Sequence, residues 1–216
     1  MVTHLLLDAN VLFSEWQQAL IFTIARTLPI HPVWTDEILD ECFRNRIRLG
    51  HFDAAQALRE RQRLNALFPS ACRPAAPRCL PDVQAVQPKD RHVAAAALAL
   101  RHELDARNCA CAEVVILTWN LRDFPQKPLR GLKIHRVSPD DWLAALIDTH
   151  SPDRVYGWLS AAQAVLIGLG CDRADGQRKG TPLPQCQQEW PTFLDRQWFK
   201  RSAKVLQNLA NLANLV

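Results

Sequence analysis

The run Thr3-His4-Leu5-Leu6-Leu7 ends on Asp8, and Asn10-Val11-Leu12 follow at once. An apolar stretch of this kind reads as a strand buried on both faces, and a strand that passes directly into a helical pattern belongs in a parallel sheet. The alternation continues along the chain. Residues 11–28 carry Leu12, Trp16, Leu20 and Ile24 on one helical face, and residues 29–34 read as a second strand. Thr35 opens a helix over 35–49 with Asp36 and Glu37 in its first turn, where carboxylates suit the helix dipole. Asp53 begins another helix, over 53–68, and Pro69, Pro74, Pro77 and Pro81 then mark an irregular loop. Residues 90–107 are rich in Ala and Leu and predict a helix. Residues 114–119 are β-branched and apolar, which suits a central strand, and 133–137 make a more polar strand near an edge. Ser138-Pro139 opens a helix through residue 147, with Pro at the first helical position. This order predicts an α/β fold of three layers, with helices on both faces of a parallel sheet, over residues 1–149. Residues 150–216 read as a helical C-terminal extension: a helix from Ser151, a Gly/Pro-rich linker over 168–184, and a helical pattern from Trp190 onward.

Composition bounds the function more loosely. Hydrophobic residues make up 48% of the 216, enough for a packed core rather than a disordered chain. The net charge of +4 is compatible with nucleic acid without requiring it, and so are the clusters Arg44 to Arg63 and Arg122 to Arg136. The seven cysteines include no CxxC pair and no zinc-finger spacing, so reduced thiols are expected. Asp8 interrupts the first apolar run, and residues 19–28 are too short to span a bilayer. A cytoplasmic protein with no membrane partner is the expectation.

The acidic residues carry the chemistry. Asp8 stands at the carboxyl end of the first strand, where open parallel sheets place their sites. Glu41 is about one and a half turns into its helix and can reach back over that edge. Asp90 sits at the start of the 90–107 helix, and Asn120 and Asp123 follow the 114–119 strand. Each has a local explanation as a helix cap, a solvated acid or an Asx-turn. Together, however, they come from one side of the sheet. Carboxylates gathered there repel and raise one another's pKa, and a divalent cation removes that penalty. An all-oxygen set predicts Mg²⁺, with Mn²⁺ as an alternative, rather than zinc.

Four segments resemble a known family. Leu7-Asp8-Ala9-Asn10-Val11-Leu12, Thr35-Asp36-Glu37-Ile38-Leu39-Asp40-Glu41, Pro88-Lys89-Asp90-Arg91-His92-Val93-Ala94-Ala95-Ala96 and Leu117-Thr118-Trp119-Asn120-Leu121-Arg122-Asp123-Phe124-Pro125 resemble, in order and spacing, the motifs of PIN-domain nucleases. They look most like VapC-type toxins of bacterial type II toxin–antitoxin systems. The resemblance implies a PIN-like nuclease domain over 1–149, with Asp8, Glu41 and Asp90 on the family's metal-binding acids. The fourth position, often Asp in the family, is Asn120 here, with Asp123 three residues on.

The implied catalytic set is Asp8, Glu41, Asp90 and Asp123, and the implied metal set is Asp8, Asp90, Asn120 and Asp123. Glu41 would hold the metal through water or orient the nucleophile; Asn120 and Asp123 would complete one cage or place a second ion. Asn10, Arg91 and Arg122 are candidates for gripping substrate, with His92 beside them. The implied activity is a metal-dependent endoribonuclease that uses a Mg-activated water and leaves 5′-phosphate and 3′-hydroxyl ends. The implied partners are an RNA substrate, a cognate antitoxin protein and a second copy of the chain. The alternative is a non-catalytic PIN scaffold that binds RNA or protein. A haloacid dehalogenase-type phosphatase would need a second Asp two residues past Asp8, where Asn10 stands.

Overall fold

A computed structural model describes residues 2–109, 111–171 and 181–213. Most of the expected linker at 168–184 lies outside them. Among the described residues five strands form one all-parallel sheet: β1 (Thr3–Leu7), β2 (Ile30–Thr35), β3 (Cys72–Arg73), β4 (Glu113–Leu117) and β5 (Ile134–Val137), in the order β3-β2-β1-β4-β5. The fold is α/β with a parallel sheet, as the alternation of elements predicts. β1 and β4 are the most apolar strands and lie in the middle of the sheet. Leu5, Leu6, Leu7, Val114, Ile116 and Leu117 are all buried.

The chain groups into two compact units, Met1–Phe13 with Ala25–Val137, and Ser14–Ile24 with Ser138–Val216. The first unit holds the whole sheet. Its helices include α1 (Ala9–Leu12), α3 (Asp36–Arg48), α4 (Ala54–Leu67), α5 (Arg91–Ala106) and α6 (Gln126–Gly131). Thr35 caps α3 by accepting from Ile38 N, and Asp53 forms a capping box with Gln56 on α4. Two local expectations change. Residues 69–81, read as irregular, contain β3, which pairs with Trp34 and Thr35, and then a 3₁₀ stretch over Pro77–Val83. A strand of two residues carries no periodic signal; only its pairing partner defines it. The expected single helix over 11–28 is two, because Ser14 restarts the backbone: its hydroxyl and carbonyl accept from Gln17 N and Gln18 N.

The second unit consists of α2 (Glu15–Ala25), α7 (Pro139–Thr149), α8 (Pro152–Gly168), α9 (Trp190–Arg196) and α10 (Lys200–Ala213). The sequence puts the boundary at 149/150 and assigns residues 11–28 to the nuclease half, whereas the contacts group Ser14–Ile24 and α7 with the C-terminal helices. The reason is aromatic packing and capping. Trp16 stacks on Trp190 at 5.6 Å and meets the edge of Phe193 at 4.9 Å. The Asp140 carboxylate accepts from Arg201 N at 2.9 Å and Ser202 N at 2.8 Å, so α7 caps the first turn of α10. Among the described residues no helix is long and apolar enough to cross a membrane.

Candidate functional site

β1 has β2 on one side and β4 on the other, so the chain reverses its direction of travel across the sheet at this pair. In open parallel sheets that reversal leaves a crevice at the carboxyl ends of the two strands. Asp8 and Thr118 are the residues that follow β1 and β4 there, and both are buried. Thr118 Oγ1 donates to Asp8 Oδ2 at 2.6 Å, and Asn10 Nδ2 donates to the same oxygen at 2.7 Å. Asp8 Oδ1 accepts from Ala9 N at 2.7 Å, so the cap expected of this residue exists alongside the other bonds. Asn10 Oδ1 accepts from Trp119 N at 3.2 Å, and Thr118 Oγ1 accepts from Asn120 N at 2.9 Å. These bonds fix the loops after β1 and β4 to each other. Burial pushes the Asp8 carboxyl above its ordinary range, and the bonds from Thr118, Ala9 and Asn10 pull it back in part.

Asp90 ends a 3₁₀ turn, Pro88–Asp90, that leads into α5. It is 5% exposed and makes no side-chain cap, so the cap explanation fails for it. Its Oδ2 is buried without a hydrogen-bond partner. Burial pushes its pKa up to about 6; the nearby Asp8 and Asp123 charges add to this, and Lys89 opposes it. Asp123 is tied in from the β4 side: Gln87 N donates to its carbonyl at 3.1 Å. Its Oδ2 accepts from Lys89 Nζ at 2.8 Å and from the Asn120 amide. The Lys89 ammonium holds the Asp123 carboxyl below its ordinary range. At the fourth motif, therefore, the carboxylate of Asp123 faces Asp90 and Lys89, while Asn120 spends its amide on orienting Asp123.

Glu41 separates from its neighbours on α3. Arg61 bonds both Asp36 and Asp40, whereas Glu41 Oε2 lies 3.6 Å from His92 Nε2. His92 Nδ1 is 3.0 Å from the Lys89 carbonyl, which can only accept, so Nδ1 carries the proton. Glu41, Lys89 and His92 line one side of a cleft of about 640 Å³ whose other residues include Arg44, Asn45 and Arg48. The arginine runs of the sequence divide here. Arg46 is buried against Phe52, with its guanidinium carbon 3.7 Å from the ring centroid, and Arg63 pairs with Glu60. Arg44 and Arg48 are left facing the cleft. Of the expected substrate-gripping residues, Arg91 donates to the carbonyls of Val86 and Gln84, both at 3.0 Å, and so holds the approach to Asp90. Arg122 is exposed on the 3₁₀ turn Leu121–Asp123.

The structure thus brings Asp8 and Asp123 each within electrostatic reach of Asp90, with Asn10 and Asn120 as supports and Glu41 on the adjoining cleft. Sequence reasoning missed two participants. Thr118 is legible as the polar end of an apolar run, and Lys89 as a cation next to a motif acid. A hard divalent cation fits this set in two respects. The donors are all oxygens, and one buried carboxylate oxygen lacks a partner. In a third respect the set is incomplete: among the described residues no three His, Cys, Asp or Glu side chains converge as a ready ligand group. Compared with family models, with curated proteins and with solved structures, the chain matches none.

Proposed function

We propose that this chain is a metal-dependent endoribonuclease of the PIN type, the toxin of a toxin–antitoxin pair. The observation that carries the reading is the buried Oδ2 of Asp90, which has no hydrogen-bond partner and only the Lys89 ammonium at 3.7 Å, beside the Asp8 and Asp123 carboxylates. Such a group is destabilising by itself and becomes favourable next to a cation. Asp8, Asp90 and Asp123 would hold the ion. A bound Mg²⁺ would supply a water acidified for attack and a positive charge for the phosphate oxygen. Thr118 and Asn10 keep Asp8 oriented, and Asn120 keeps Asp123 oriented. Glu41, with His92 beside it, faces the cleft from which a phosphodiester would approach, and Arg44 and Arg48 supply positive charge along that approach. Arg91 supports the Asp90 turn in this scheme rather than gripping substrate. The antitoxin and the homodimer rest on the four motif segments alone.

The test is cleavage of a single-stranded RNA by the purified chain in Mg²⁺. We expect cleavage that stops with EDTA and in Asp8→Asn, with an unchanged circular dichroism spectrum for the variant. Asp8→Asn that cuts at the parent's rate refutes the assignment. The absence of a ready three-acid ligand group among the described residues favours one second reading, a non-catalytic scaffold that binds RNA. RNA retained by both proteins, with no cleavage by either, selects it.

A further inference from the structure

The acid cluster already contains a cation of its own. Lys89 Nζ lies 2.8 Å from Asp123 Oδ2 and 3.7 Å from Asp90 Oδ2, the oxygen that has no hydrogen-bond partner. We infer that Lys89 is a resident stand-in for the metal: its ammonium bridges Asp90 and Asp123 in the metal-free protein, and a divalent ion enters by exchange with it. This rests on the nuclease reading and concerns how that site is loaded.

Three observations support an exchange rather than a permanent ion pair. The first is reach and freedom. The Lys89 side chain is 68% exposed, while the Asp90 side chain is 7% exposed. The carboxylate is fixed in the fold and the ammonium rides on a flexible stem in water. Water and salt screen an exposed pair of this kind, and holding the long side chain in place costs entropy, so an incoming ion can displace the ammonium. The second is anchoring. The Lys89 carbonyl accepts from His92 Nδ1 at 3.0 Å, so the backbone stays put when the side chain leaves, and the cleft that Lys89 lines gives it room. The third is charge. One ammonium cannot balance Asp8, Asp90 and Asp123 together, and a divalent cation placed among them does so better.

The inference predicts competition. In metal-free buffer, Mn²⁺ binding to the full chain is measured by the loss of the free-ion electron spin resonance signal, for the parent, Lys89→Met and Lys89→Arg. Lys89 is exposed, so both variants should fold, and a circular dichroism spectrum verifies this. We expect Lys89→Met to bind Mn²⁺ roughly three- to fivefold more tightly, the upper part of the range that an exposed ion pair is worth. Lys89→Arg, which keeps the charge, should stay within about twofold of the parent on the same scale. Equal affinity for parent and Lys89→Met, or weaker binding by Lys89→Met, overturns the stand-in role while leaving the metal site in place. Absence of Mn²⁺ binding in all three proteins overturns the metal reading, and the inference falls with it.

Discussion

Replacing Asp90 by Asn removes a charge that the folded protein holds at a cost. The Asp90 carboxyl is pushed up to about 6 from an ordinary value of 3.8, by burial first and by Asp8 and Asp123 in addition. A pH unit corresponds to about 1.4 kcal/mol, so the full penalty of ionising Asp90 in the fold has a ceiling of roughly 3 kcal/mol. The cluster is open to water at Lys89, and solvent screening brings the expected effect down to about 1–2 kcal/mol. The sign follows from linkage. A carboxyl whose folded pKa is raised holds its proton more tightly in the native state than in the unfolded one. Its native state is therefore favoured at low pH, and that advantage is lost as pH rises from about 4 to about 6. The amide that replaces the carboxyl in Asp90→Asn does not titrate.

Urea unfolding in EDTA should therefore find Asp90→Asn about 1–2 kcal/mol more stable than the parent near pH 7.5, with the gap closing towards pH 4. Saturating Mg²⁺ should narrow the gap, because the ion binds the native parent and stabilises it. A variant that is less stable than the parent in EDTA near pH 7.5, or a gap that does not change with pH, refutes the claim that the fold holds the Asp90 charge at a cost.

Two further outcomes follow from other parts of the molecule. Asp123→Ala should lower RNA cleavage at limiting Mg²⁺ more than Asn120→Ala does, because Asp123 presents the carboxylate and Asn120 only orients it; equal rates for Asp123→Ala and the parent would remove Asp123 from the site. In the second unit, Trp198 has φ +68° and is 76% exposed, at the position after α9 where Phe199 N and Trp198 N bond back to the carbonyls of Leu194 and Asp195. Glycine suits that left-handed position, so Trp198→Gly should raise stability by roughly 0.5–1 kcal/mol in thermal unfolding, and a lower melting temperature would show that the indole packs in solution.

The sequence alone determined what depends on neighbours along the chain. Strand and helix alternate because apolar spacing does, and the caps at Thr35, Asp53 and Ser138 form within three residues of themselves. That alternation was enough to imply a parallel sheet, and a parallel sheet was enough to put Asp8 and the residues after Leu117 on one edge. What required the tertiary structure lies far apart in sequence. Thr118 reaches Asp8 across 110 positions, and β3 exists only because Trp34 and Thr35 offer it a partner. The grouping of Trp16 with Trp190 and Phe193 moved a helix from one unit to the other. Asp36, Asp40 and Glu41 look alike on α3, and only the tertiary structure pairs the first two with Arg61 and leaves Glu41 beside His92. Asp90 reads as a helix cap in any local window, and its burial beside Lys89 and Asp123 identifies it as something else. Local propensity sets elements within a few residues, whereas burial, ion pairing and pKa depend on what folding brings into contact, and the chemistry of this chain rests on the latter.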